Sequence, residues 1–145
     1  MFKFKFEKAL DFKRKTEEIA RGEFSKSKNE KLEEERKIKI LKKKKEVFLN
    51  KSITKREGKL DIILLQQTNK QLEKFKKEIM EQEEYILKKE AEIEEKKEEL
   101  LEAVKEVKIF EKLNEREYSK YKEEEKRKEN SFLDEITNNN YNRGR

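Results

Sequence analysis

A chain of 145 residues with 51% charged and 32% hydrophobic side chains cannot bury a thick, many-layered core, because globular domains hold about 45–50% apolar and about 25% charged residues. Its 40 basic and 34 acidic residues are interspersed and leave a net charge of +6, so repulsion does not force an open coil, and the lack of Pro leaves helical ladders uninterrupted. With no Cys, no His and Gly only at 22, 58 and 144, the chain has no thiolate, imidazole base, ordinary transition-metal site or glycine-rich phosphate loop, which points to a non-enzymatic protein without cofactor or small-molecule substrate.

At the start, Phe2, Phe4 and Phe6 alternate with lysines, a period-two pattern that reads locally as strand yet has nothing to pair with in an otherwise helical chain. Three uses fit these rings: capping the open end of a helix pair, contacting a partner, or stacking on single-stranded nucleic acid. From about residue 8 to about 50 a first helix is expected. Leu10, Ala20, Phe24, Ile38, Leu41 and Phe48 fall on a 3–4 register, but Lys13, Glu17, Lys31, Glu34 and Lys45 occupy intervening positions of the same stripe. Lysine stems can cover apolar surface there while their ammonium groups reach water. Gly22 makes the helix locally soft. Lys42 to Lys45 form the densest basic run; four consecutive lysines point all round a helix, so they read as a solvated segment facing acids of the opposite arm, with an anionic membrane or acidic partner as the other reading.

Asn50 to Gly58 gathers Asn, Ser, Thr and Gly, residues that compete with helix, and is the expected turn at about 50–59; a continuous helix that frays here is the alternative. A second helix is expected from about 60 to about 136. Leu65, Leu72, Ile79, Ile86, Ile93, Leu100 and Val107 recur every seven residues, Asn114 interrupts and Tyr121 resumes. Three residues further on in each heptad, Phe75, Ala103 and Phe110 fit the seam, while Gln82, Lys89 and Lys96 do not. Glu73–Lys77, Glu84–Lys88, Glu92–Lys96 and Glu123–Arg127 have favourable i,i+4 order. Residues 137–145, rich in Asn, have no period and are expected to be disordered.

The expected fold is all-α: a single long two-helix antiparallel coiled coil over residues 1–145, monomeric, with an intermolecular parallel dimer as the competing arrangement. Residues 1–58 carry net +9 and residues 59–145 net −3, which favours laying the two arms side by side. No apolar run reaches the roughly 18–20 residues of a membrane span, and no signal-type apolar core follows Met1, so a cytoplasmic location is expected. Ile62-Ile63-Leu64-Leu65 exceeds what a two-helix seam can bury. It is either a plug beneath the turn, with Ile53 folded over it, or a docking tip.

Both ends resemble a known family. Phe2-Lys3-Phe4-Lys5-Phe6-Glu7-Lys8-Ala9-Leu10, then Lys13-Arg14 and Glu17-Glu18, is similar to the opening of the flagellar export protein FliJ family. Glu111-Lys112-Leu113, Tyr118, Tyr121, Glu129-Asn130 and Phe132-Leu133-Asp134-Glu135-Ile136 resemble that family's ending, with Asn130 where the pattern has Gln. Leu72, Phe75, Ile79 and Gln82 fit its sparse middle. The resemblance implies a two-helix coiled coil similar to the central stalk of rotary ATPases, engaging the ring of the flagellar export ATPase FliI and the export-gate protein FlhA, with export chaperones as further partners. It implies a location at the cytoplasmic face of the inner membrane. The ring contact would then fall at the open end, on Lys13, Arg14, Tyr118, Tyr121, Glu129, Asp134 and Glu135. The gate contact would fall on Ile62, Ile63, Leu64, Leu65, Leu72, Phe75 and Ile79. The competing function is a basic coiled-coil module for nucleic acid or an anionic membrane surface, motivated by the net +9 of residues 1–58 and the phenylalanines.

Overall fold

The structure, a computed structural model, describes residues 1–56 and 62–144. It is all-α: α1 spans Glu7–Arg56 and α2 spans Ile62–Arg143, with no strand among the described residues. The alternating phenylalanines therefore form no strand; residues 1–6 lead into α1, and the Glu7 N–H bonds the Phe4 carbonyl at 3.3 Å. The chain divides into two compact units, Met1–Ile19 with Leu101–Arg145 (unit 1) and Ala20–Leu100 (unit 2). In each, a stretch of α1 packs antiparallel against a stretch of α2, the pairing of a helical hairpin.

Unit 2 holds most of the heptad series. Ile79 is buried, and Leu65, Leu72, Ile86, Ile93 and Leu100 are half-buried. The opposing stripe on α1 comprises Phe24, Ser27, Lys31, Glu34, Ile38, Leu41, Lys45 and Phe48, all buried or half-buried although half of them are polar or charged. The direction of pairing is read from two bridges: Lys96 meets Glu23, and Lys89, seven residues back, meets Glu30, seven residues forward. Phe48 packs on Phe75 with ring centroids 5.8 Å apart. Lys28 lies 4.5 Å over the Phe24 ring, a lysine stem sheltering a seam aromatic.

Unit 1 has a small core of Phe4, Leu10 and Val107, with Phe2, Phe110 and Leu113 packed against it. Lys13 of α1 bridges Glu106 of α2 at 2.7 Å, and Arg14 bridges Glu111 at 3.5 Å.

Both helices run longer than their sequence suggests. Rather than stopping near residue 50, α1 continues through Asn50 and Ser52 to Arg56. The Ser52 hydroxyl donates to the Phe48 carbonyl at 2.9 Å, so its hydrogen bonding supports the helix instead of competing with it. The remainder of the expected turn, Gly58 included, lies outside the described residues. At the other end, α2 passes residue 136 and takes in residues 137–143 of the expected disordered tail. Propagating an existing helix is far less demanding than nucleating one. The Thr137 hydroxyl folds back onto the Leu133 carbonyl at 2.9 Å, and Gly144 follows the last helical residue, where glycine suits a helix end.

Candidate interaction surfaces

In unit 2 the seam positions that lack apolar residues carry the strongest electrostatics. Lys89, with 13% of its side chain exposed, donates to Glu30 at 2.5 Å and to Glu92 at 3.1 Å. Lys96 reaches Glu23 at 3.2 Å and Glu99 at 3.5 Å. Glu92 thus serves Lys89 rather than its expected partner Lys96, which is drawn across to α1. These bonds favour the charged forms. The Lys89 ammonium is held well above its ordinary value, first by Glu30 and then by Glu92. The Glu30 carboxyl is lowered chiefly by the Lys89 hydrogen bond, Lys31 is raised chiefly by Glu90, and Lys96 chiefly by Glu23. Such groups fix alignment.

Unit 1 collects the residues expected at the open end. Tyr118 meets Phe2 edge-on at 5.3 Å, Tyr121 lies tilted against Phe2 at 5.5 Å, and Phe6 packs against Phe4 at 5.9 Å and Phe110 at 6.4 Å. All three N-terminal phenylalanines therefore take part in this cluster, with Phe6 still 39% exposed. Tyr121 is half-buried, as its heptad spacing requires, while Tyr118 keeps 44% exposure and carries Lys122 over its ring at 5.0 Å. Lys13 and Arg14 are engaged by Glu106 and Glu111. Past Tyr121 every residue from Lys122 to Gly144 is exposed, including Glu129, Asp134 and Glu135 and the large apolar residues Phe132, Leu133 and Ile136.

The residues expected at the other end divide in two. Leu65, Leu72 and Ile79 belong to the seam, Phe75 packs on Phe48, and Leu64 is half-buried. Ile62 and Ile63 are 68% and 66% exposed. Ile53, expected to fold over them, is 60% exposed.

Sequence reasoning missed two buried polar residues of unit 2. Thr68 and Ser27 are nearly inaccessible, and Thr68 bonds the Leu64 carbonyl at 2.8 Å. Gln82, in the seam three residues after Ile79, has a buried amide nitrogen without a hydrogen-bond partner among the described residues. Ser27 fills the α1 position between Phe24 and Lys31 and could have been found by extending the 3–4 register; Thr68, three residues after Leu65 and seven before Phe75, could have been found by extending the second seam series back one heptad.

Among the described residues no cluster of three or more acidic, His or Cys side chains could hold a metal ion, and no helix is long and apolar enough to cross a membrane. A family model described as "Flagellar FliJ protein" matches residues 2–145. No curated protein and no solved structure matches the chain.

Proposed function

This chain belongs to the FliJ family of flagellar proteins, and on that premise we propose that it is the non-enzymatic stalk of a flagellar export apparatus. Membership makes it a flagellar export protein. The finer reading is that unit 1 seats in the ring of the FliI-like export ATPase and unit 2 touches the FlhA-like export gate, at the cytoplasmic face of the inner membrane, with export chaperones as additional partners and a monomer as the isolated form. One observation carries this reading. Beyond the Phe2–Tyr121 contact, α2 continues exposed, with Phe132, Leu133 and Ile136 open to solvent beside Glu129, Asp134 and Glu135. Apolar side chains left open on a charged helix mark a surface that another protein covers.

Tyr118, Tyr121 and the three acids are the proposed ring contacts, and Lys13 and Arg14 support them by tying α1 to α2. For the gate, Ile62, Ile63 and Leu64 are the proposed touching residues, with Leu65, Leu72, Phe75 and Ile79 holding them in place. The test is stimulation of the purified export ATPase. Truncation after Lys122 removes the exposed segment while keeping both tyrosines against Phe2. We expect helical pairing to persist and stimulation to disappear. A truncated chain that stimulates as well as the whole one would refute the assignment of this end to the ring.

A further inference from the structure

Unit 2 carries a further surface on α1. A groove of about 510 Å³ runs along α1, floored by Ile40, Val47, Phe48 and by Phe75 of α2. Ile40 and Val47 are seven residues apart and so share a face; they are 57% and 46% exposed. Lys43, Lys44 and Lys51 line it as well. Lys13, Lys31, Lys37 and Lys42 on the same helix are each paired with a glutamate, whereas these three have no ion-pair partner among the described residues. A second, smaller hollow shares Ile40 and Lys44 and is closed by Gln82, so the apolar track extends further along α1.

We infer that this groove is a docking site for an acidic amphipathic helix of another protein. From Ile40 to Lys51 the surface spans roughly 16 Å at about 1.5 Å per residue, room for about three turns of a helix laid along it. Such a helix would bury apolar residues at i, i+3/i+4 and i+7 against Ile40, Val47 and the edges of Phe48 and Phe75. Its flanking carboxylates would meet Lys43, Lys44 and Lys51, which line the groove together with its apolar residues. Single-stranded nucleic acid fits poorly, because Phe48 and Phe75 are half-buried against each other and do not present open faces. A membrane surface is the other anionic partner that these lysines could meet, and the vesicle comparator below tests it. The inference does not depend on the chain seating in an ATPase ring.

The experiment uses the full chain and a fluorescently labelled synthetic helix with leucines at i, i+3, i+4 and i+7 flanked by glutamates. Its comparators are the same peptide with lysines for glutamates, phosphatidylserine–phosphatidylcholine vesicles, and oligothymidine. Fluorescence anisotropy should report binding of the acidic peptide in preference to all three. The combined change Lys43→Glu, Lys44→Glu and Lys51→Glu should weaken it at least about tenfold, as should Ile40→Ser with Val47→Ser. Lys97→Glu, Lys105→Glu and Lys108→Glu together change net charge equally and should leave most of the affinity. Circular dichroism establishes that each variant is folded; the groove residues are exposed enough for substitution to spare the seam. Failure to bind the acidic peptide, equal loss in both lysine variants, or preferential capture of vesicles or oligothymidine would overturn the inference.

Discussion

Glu30 on α1 accepts a hydrogen bond from Lys89 on α2, which holds a seam position of unit 2 where a two-helix coil ordinarily places an apolar residue. One heptad along, Lys96 and Glu23 repeat the arrangement. A one-residue slip of either helix would separate both pairs and leave partly covered charges without partners. Exchanging these pairs for leucines could strengthen the coil while weakening its preference for a single alignment. The polar seam sites are therefore register marks.

The pH dependence of the fold follows from the same residues. The folded Glu30 carboxyl sits below its ordinary value of 4.5, so its stabilisation is present above that value and is lost as pH falls through the lower folded value. Lys31, Lys89 and Lys96 sit above 10.5, so theirs is present below 10.5 and is lost as pH rises beyond it. With respect to these groups the thermal midpoint should be level between about pH 5 and about pH 10 and decline on both sides. Circular dichroism melts across that range test this. In Glu30→Gln the acid-side decline should become shallower, and an unchanged acid limb would show that other carboxylates govern it.

Gln82 should be a point of easy stabilisation. A buried donor without a partner forfeits about 1–3 kcal/mol of solvation, and this amide lies three residues after Ile79 on the seam. Gln82→Leu should raise stability by about 1 kcal/mol in urea unfolding. No gain would mean that the amide is satisfied by solvent in solution.

The Leu65–Val107 heptad series was legible in the sequence because its period survives every polar interruption, and the same residues are buried or half-buried in the structure. The α1 stripe was legible too, charged members included. Element ends were harder to read. Asn50, Ser52 and Asn138 to Asn140 disfavour helix as isolated residues, yet here each continues a helix already nucleated over many turns. The roles of Lys89 and Lys96 were hidden because local spacing pairs Lys96 with Glu92, whereas the partners that hold both lysines most firmly come from the other arm. The aromatic start was readable as a cap but not in detail, since only the three-dimensional arrangement sets Phe2 against both Tyr118 and Tyr121.

The three N-terminal phenylalanines should contribute in order of burial. Phe4 lies in the core with Leu10 and Val107, so Phe4→Ala should lower stability by about 3 kcal/mol. Phe2→Ala should remove about 1 kcal/mol through its two tyrosine contacts, and Phe6→Ala, at the more exposed position, less than that. Hydrogen exchange should show the loosening in the first turns of α1 and around Val107. An equal response from all three would mean that the cluster is not packed as described.

Gly22 offers a clean backbone test. It is exposed within α1, and a Cβ added there meets nothing within 4 Å. Gly22→Ala should therefore stabilise the chain by about 1 kcal/mol through helix propensity alone. A loss on substitution would indicate that the softness of this turn is required by a contact the isolated chain does not make.

Ile62 and Ile63 separate stability from partner binding. Both are largely exposed, so changing them to Ser should shift stability by no more than about 0.5 kcal/mol, in contrast to the losses expected for seam residues such as Ile79. If these residues form the proposed gate contact, the double variant should bind the purified export-gate protein at least about tenfold more weakly, the scale of losing one well-buried apolar anchor. Its stimulation of the ATPase should be intact, because the proposed ring contacts lie in unit 1. Pull-down and surface plasmon resonance measure the first quantity and phosphate release the second. Loss of ATPase stimulation with gate binding unchanged would reverse the assignment of the two ends. Loss of both together, in a chain that still melts normally, would place a single shared contact at Ile62 and Ile63.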